Sequence, residues 1–136
     1  MDDDQTARTR AVVKDYFDRF MSGDVHGAFG LFAPDASYDL PGRSPLAGSR
    51  TIPEMAPMFE KLGPVLAGMK MTVGPILADG NRAAVQSTGT VELPNGKVYD
   101  NEYHWAFEVE GDRIKRIREY MCTYHATEVL APLMGE

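Results

Sequence analysis

The sequence of 136 residues is poor in cysteine and histidine, and this scarcity excludes several kinds of site. Cys122 is the single cysteine, so an intrachain disulfide and a multi-cysteine metal site are ruled out. With no histidine at plausible reach, we interpret Cys122 as a small buried residue and not as a nucleophile. Because the histidines are scattered without helical or hairpin pairing, we predict no metal ion and no cofactor. They are His26, His104 and His125.

Basic clusters and long apolar runs are missing as well. The net charge is −6 and no cluster of lysine or arginine occurs, so we expect binding neither to nucleic acid nor to anionic membranes. No apolar run approaches the ~20 residues of a membrane span. The first residues, Met1–Asp4, are acidic where a secretory signal is basic and then apolar, so a cytoplasmic location is expected.

The composition is that of an ordinary globular protein, with 43% hydrophobic and 25% charged residues. At this length we predict a single domain over residues 1–136. Spacings of three and four predict a first helix, which buries Val12, Tyr16 and Phe20 together with Val13 and Phe17.

Two further helices follow before residue 68. The second is short and carries Val25 to Phe32, and Pro34-Asp35 is expected to end it. After a short extended piece at Ser37–Leu40 and a loop over residues 43–50, Thr51 is expected to cap a third helix that ends near Gly63-Pro64.

From about residue 68 the apolar residues alternate with a period of two, which is typical of strands. Turn signals at 79–81, 93–96 and 110–112 separate these runs, and the last strand, residues 113–123, leads into a short tail. We therefore predict an α+β fold in which three N-terminal helices cover one face of a bent, mostly antiparallel sheet of four to six strands. Four large apolar residues should face the helices: Tyr103, Trp105, Phe107 and Val109.

Three stretches resemble known enzyme families. Tyr16 lies eight residues before the Gly23-Asp24 turn, and residues 32–36 read Phe-Ala-Pro-Asp-Ala, an order similar to that of the ketosteroid isomerases. Residues 93–120 resemble the limonene epoxide hydrolases, and residues 118–120, Arg-Glu-Tyr, also resemble the SnoaL-type polyketide cyclases.

The order and spacing of these motifs over nearly the whole chain identify it as a member of the nuclear-transport-factor-2-like superfamily. The resemblance implies a cone-shaped, cystatin-like or SnoaL-like fold around an apolar pocket, and a homodimer paired through the outer face of the sheet. Because this superfamily contains isomerases, cyclases, hydrolases, dehydratases and binding modules, the site must decide the function.

Glu119 is the first candidate for a catalytic group. By period two it lies on the same face as Ile117 and Met121, so it is either at a sheet edge or in a cavity, where desolvation raises its pKa toward the useful range. The resemblance implies that it is the catalytic acid or base. The alternative is a surface carboxylate that pairs with Arg116 or Arg118.

Tyr16 and Asp39 are the other candidate catalytic residues. The resemblance implies that Tyr16 hydrogen-bonds a substrate oxyanion, and the alternative is a core tyrosine bonded to a backbone carbonyl. The resemblance to the epoxide hydrolases implies that Asp39 takes the place of an asparagine that helps to hold the attacking water, and the alternative is a turn-capping aspartate. Leu40 stands in place of the ketosteroid isomerase base, which speaks against the usual steroid isomerisation.

The epoxide hydrolases also use an arginine and an aspartate that align with Gln86 and Thr88 here. Because both charges are missing here, we consider hydrolysis of epoxides a weaker hypothesis than isomerase or cyclase chemistry.

We therefore predict a pocket for a small apolar, oxygen-bearing molecule and acid/base chemistry of the isomerase or cyclase type. The alternatives are a binding protein without turnover and a structural dimerisation module whose pocket is filled by its own side chains. The expected pocket-lining residues are Tyr103, Trp105, Phe107, Ile117, Met121 and Leu40.

Overall fold

The computed structural model describes residues 4–134, which form four α-helices and one seven-stranded sheet. Residues 1–3 and 135–136 lie outside the described residues, and with them most of the acidic start noted above. Within 4–134, no helix combines the length and apolar character that a bilayer crossing requires.

The three predicted N-terminal helices are present, with different ends. They are α1 (Asp4–Met21), α2 (Val25–Phe29) and α3 (Ile52–Leu66). A capping box begins α3: the Thr51 hydroxyl accepts from the backbone N–H of Glu54, whose carboxylate accepts from that of Thr51.

Two of the predicted helix ends are corrected by the structure. Helix α2 stops at Phe29, and Phe32 already belongs to the first strand, so Pro34-Asp35 interrupts a strand and not a helix. Helix α3 runs through Gly63-Pro64 to Leu66, because its apolar face packs onto the sheet and outweighs the hydrogen bond that Pro64 cannot donate.

The strands are β1 (Phe32–Leu40), β2 (Gly48–Thr51), β3 (Lys70–Val73), β4 (Leu77–Asp79), β5 (Arg82–Glu92), β6 (Val98–Glu110) and β7 (Arg113–Met121). They form an open, curved sheet in the order β2-β1-β7-β6-β5-β3, with β4 also paired to β5. All pairs are antiparallel except β1 with β7. The expected four to six strands are exceeded because β2 and β4 are too short to show a period in the sequence.

The faces of β6 are as predicted. Tyr103, Trp105, Phe107 and Val109 are buried toward the helices, and Glu102 and His104 are exposed on the outer face. The α+β prediction with a mostly antiparallel sheet is therefore confirmed.

The predicted C-terminal tail is instead a helix, α4 (Thr123–Leu130), followed by a 3-10 turn at Ala131–Met134. Ala126, Val129 and Leu130 form its buried stripe and pack with Tyr99 in a second apolar cluster. Helix α4 is therefore a fourth helix on the inner face of the sheet, and its Leu130 lines one side of the cavity between the helices and the sheet.

Candidate active site

A cavity of about 90 Å³ lies between the inner face of the sheet and helices α3 and α4. Its volume exceeds the ~10–15 Å³ that a single water molecule needs, so it can admit a small organic molecule. Five of the eight methionines line the cavity: Met55, Met58, Met69, Met71 and Met121. Because methionine side chains are flexible and polarisable, the cavity wall can adapt to the shape of a ligand.

Glu119 is the carboxylate of this cavity wall. It faces inward because β7 alternates, with Ile117 and Met121 on the same side and Arg118 on the other. Burial raises its pKa from 4.5 to about 7, although a hydrogen bond from Tyr38 acts in the opposite direction. Near neutral pH, Glu119 therefore exchanges readily between acid and base.

Tyr38 on β1 is the hydrogen-bonding partner of this carboxylate, with its hydroxyl 2.5 Å from Oε1 of Glu119. It lines the cavity beside Leu40, because residues two apart on a strand share a face. Burial, and next the charge of Glu119, raise the pKa of Tyr38 well above 10, so it stays a donor. The alternation of Ala36, Tyr38 and Leu40 was the available signal for this residue in the sequence.

Tyr16 lies behind Tyr38 and not in the cavity wall, which corrects the expected position. It is 1% exposed in the core on α1, and a hydrogen bond links its side chain to Tyr38. Burial raises its pKa far above the ordinary value. Tyr16 can therefore act on a ligand only through Tyr38 and Glu119.

Asp39 is corrected too, because it lies on the outer face of the sheet. Strand alternation that turns Leu40 inward must turn Asp39 outward. There it pairs with Arg116 at 2.6 Å and with Arg118 at 3.5 Å, and it accepts a hydrogen bond from Ser49 at 2.6 Å. Burial raises the pKa of Asp39, but these bonds outweigh that effect and hold the pKa below its usual range.

A second polar group lies beside the cavity, and of its three residues the sequence analysis had named Tyr103 but missed Tyr99 and Asn101. Tyr99 and Tyr103 line the wall, and the Tyr103 hydroxyl donates to that of Tyr99 at 3.1 Å. Asn101 Nδ2 donates to the same Tyr99 oxygen at 3.0 Å. The three residues share the inward face of β6 through the same alternation that had identified Tyr103 and Trp105.

The expected lining residues divide into two groups. Tyr103, Trp105, Met121 and Leu40 lie in the cavity wall. Phe107 and Ile117, however, lie in the filled core, which corrects the prediction for both. Helix α1 covers that end of the sheet: the Phe107 ring packs edge-on against those of Tyr16 and Phe17, with centroids 5.9 and 5.7 Å apart.

The remaining sequence candidates lie away from the cavity. Gln86 and Thr88 are exposed on the outer face of β5, and its inward neighbours Val85, Ser87 and Gly89 carry no charge either. The charged pair of the epoxide hydrolases is therefore missing from both faces of this strand.

Cys122 is exposed, contrary to the expected burial, because β7 ends at Met121 and the strand period no longer applies. Over residues 4–134, no group of three or more histidine, cysteine, aspartate or glutamate side chains could hold a metal ion.

Solved structures with the same fold include several proteins from unrelated sources. Bal32a, from a soil-derived mobile gene cassette, is 25% identical, with a TM-score of 0.78 over 92% of this chain and 98% of Bal32a. TerC, co-crystallised with polyporic acid, is 17% identical, with a TM-score of 0.76 over 91% of this chain and 98% of TerC. PrhC from Penicillium brasilianum is 15% identical, with a TM-score of 0.80 over 96% of this chain and 91% of PrhC.

A search of curated protein sequences finds no match to this chain. The family model of the SnoaL-like domain, in contrast, matches residues 13–117, which is most of the chain. Together with the fold, this match shows that the chain belongs to the SnoaL-like family of the nuclear-transport-factor-2-like superfamily.

Proposed function

We propose that this protein is a cofactor-free acid/base enzyme of the isomerase or cyclase type, acting on a small apolar molecule that carries oxygen. One observation carries the proposal: Glu119, with a pKa of about 7, is the one carboxylate that residues 4–134 place in the wall of a largely apolar cavity, and it is oriented by Tyr38. A general base works best when its pKa is near the working pH, because it can then both accept and return a proton.

The chemistry follows from these two side chains. Ionised Glu119 removes a proton from a carbon beside a carbonyl group, and the electron pair of the C–H bond moves onto the carbonyl oxygen as an enolate. If a C=C bond lies next to that carbon, the enolate is conjugated, and protonated Glu119 returns the proton to the far carbon of the C=C bond, which completes an isomerisation. In a cyclisation the enolate carbon instead attacks a second carbonyl, and the proton goes to the new alkoxide.

Proton exchange on a small ketone tests this proposal without knowledge of the natural substrate. Cyclohexanone is incubated with the protein in D₂O, and loss of the proton signal beside the carbonyl is followed by NMR. We expect the wild type to accelerate exchange and Glu119→Gln to lose about 100-fold or more of that acceleration, as expected for a general base. The rate should rise with pH and level off above about 7, as Glu119 ionises.

Glu102→Gln is the matched control, because it removes an exposed carboxylate from the outer face of β6 and should leave the rate unchanged. Equal rates in Glu119→Gln and the wild type would overturn the assignment of Glu119. Absence of acceleration in the wild type would overturn acid/base catalysis and support the alternative below.

The alternative is a binding protein that holds a small molecule without turnover. The five methionines favour it, because flexible thioether side chains let one cavity accept ligands of different shapes. Ligand binding without proton exchange would be its signature.

We also propose a homodimer that pairs through the outer face of the sheet. Small and aromatic side chains on this face support it: Ala84 and Ala106 lie half-buried on neighbouring strands, and Tyr120 is 43% exposed on β7. Analytical ultracentrifugation should give twice the chain mass, and a monomer at micromolar concentration would refute the pairing.

A further inference from the structure

Two neighbouring phenols in the cavity wall, Tyr99 and Tyr103, share one hydrogen bond but carry two hydroxyl protons. Tyr99 and Tyr103 each own one hydroxyl proton, and one hydrogen bond at 3.1 Å joins the two oxygens. That bond consumes one proton whichever residue donates. The other proton needs a different acceptor.

Asn101 cannot be that acceptor, because its amide orientation is determined by the backbone. Its Oδ1 accepts from the N–H groups of Cys122 at 3.0 Å and Glu102 at 2.8 Å, and backbone N–H groups only donate. The Nδ2 group must therefore face Tyr99, to which it donates at 3.0 Å. Asn101 adds a donor to this pair and takes none from it.

The remaining proton belongs to Tyr99, and a sulfur atom is its acceptor. The Tyr99 hydroxyl points at Sδ of Met121, 3.8 Å away, and Met121 itself lines the cavity. A thioether is a weak acceptor, so the contact with Sδ of Met121 satisfies this donor poorly. The two bonds that the Tyr99 oxygen accepts also polarise its O–H bond and strengthen it as a donor.

We propose that the Tyr99 hydroxyl is a ligand-anchoring donor that binds a carbonyl oxygen, in place of the sulfur of Met121. The natural ligand is then a carbonyl compound that spans the cavity, with one oxygen at Tyr99 and its reacting carbon at Glu119. This inference rests on the proposed function for the reacting carbon alone. The anchoring of the oxygen at Tyr99 is independent of turnover.

A neutral carbonyl suits this position better than a carboxylate. The wall is apolar apart from the tyrosines and Glu119, so a ligand carboxylate would place a second negative charge beside that of Glu119. Tyr99 itself stays protonated in alkaline solution, because burial above all raises its pKa beyond 10.

The experiment compares cyclohexanone with methylenecyclohexane, which has the same shape but a CH₂ group in place of the oxygen. Binding is followed through the fluorescence of Trp105, the single tryptophan, which lies in the wall. At pH 9 Glu119 is ionised and the proton of Tyr38 is committed to it, so Tyr99 is the donor left for the ketone. We expect the wild type to prefer the ketone about two- to tenfold, the range of one net hydrogen bond.

Two variants locate the donor. Tyr103→Phe removes the neighbouring phenol and leaves the Tyr99 proton in place, so the preference for the ketone should persist. The double variant Tyr99→Phe/Tyr103→Phe has neither proton and should bind the two probes equally. Equal binding by the wild type, loss of preference in Tyr103→Phe or its retention in the double variant would each overturn the assignment.

An infrared measurement on the wild type needs no variant and covers the case in which the double variant fails to fold. The C=O stretch of bound cyclohexanone should lie below its frequency in hexane, because a hydrogen bond weakens the carbonyl bond. A bound frequency equal to that in hexane would overturn the anchoring role. Binding at pH 9 does not depend on proton transfer, so the anchor can hold even if Glu119 proves inactive, and the reverse is also true.

Discussion

Replacing Glu119 by glutamine should change how the stability of this protein depends on pH. Burial raises the pKa of Glu119 from 4.5 to about 7 in the folded state, against the smaller effect of the Tyr38 hydrogen bond. The folded protein then binds this proton more tightly than the unfolded chain does. The contribution of protonated Glu119 to the free energy of unfolding is therefore fully present below pH 4.5 and is lost as the pH rises through about 7.

The size of the effect follows from the two pKa values. The two pKa values differ by 2.5, and a difference of one corresponds to about 1.4 kcal/mol, so ionisation of Glu119 costs the fold at most about 3.5 kcal/mol. Glu119→Gln has the same shape and no charge to bury. Its free energy of unfolding, relative to the wild type, should therefore increase by up to about 3 kcal/mol between pH 4 and pH 8.

Urea denaturation at a series of pH values, followed by Trp105 fluorescence, measures this difference. Glu102→Gln provides the background, since it removes an exposed carboxylate from the outer face. If the stability difference between Glu119→Gln and the wild type were the same at pH 4 and pH 8, the buried, high-pKa carboxylate would be refuted, and the proposed catalysis with it.

Three further predictions concern the walls of the site. Trp105→Ala should lower the free energy of unfolding by about 3–5 kcal/mol in urea titrations followed by circular dichroism, since the side chain is 6% exposed and bonded to Ser87; a loss below about 1 kcal/mol would contradict its packing role. Tyr38→Phe removes a bond that lowers the pKa of Glu119, so the midpoint of the pH profile for proton exchange should move above 7; an unmoved midpoint would exclude the contact. Asp39→Asn should cost about 1.5–3 kcal/mol at pH 7, and less as the pH falls through the lowered pKa of Asp39, without altering exchange; a lost exchange rate would return Asp39 to the site.

Local patterns predicted the parts of this fold that depend on side-chain period alone. Alternation along β6 predicted that Trp105 and Tyr103 face the helices, and it explains why His104 lies on the outer face, because successive residues of a strand must point to opposite faces. The same rule put Glu119 on one face of β7 with Ile117 and Met121, and in the structure that face turns inward and Arg118 turns outward. These assignments needed no knowledge of which strands are neighbours.

The position of the other candidates depended on strand pairing and helix placement, which the local pattern does not contain. Tyr38 meets Glu119 across 81 residues of chain because β1 runs parallel beside β7, and no motif in the sequence marks that contact. Phe107 has the same alternation as Trp105, yet only Trp105 reaches the cavity wall. Phe107 packs against Tyr16 and Phe17 of α1 in the filled core, while Trp105 contacts Phe17 and still borders the cavity. Period two identifies a face, but not which part of that face a helix fills.

The sequence by itself thus predicted the fold class, the family and the face that Glu119 shares with Ile117 and Met121, since motif order and side-chain period can be read directly along the chain. Only the tertiary structure decided which hydroxyls accompany that carboxylate. It placed Tyr38 in the wall with Tyr16 behind it, and it packed Tyr99 against α4, a helix that the sequence analysis had taken for a tail. The hydrogen bond between Tyr38 and Glu119 joins residues 81 apart in the chain and forms only when β1 and β7 lie side by side, so this polar contact belongs to the packing.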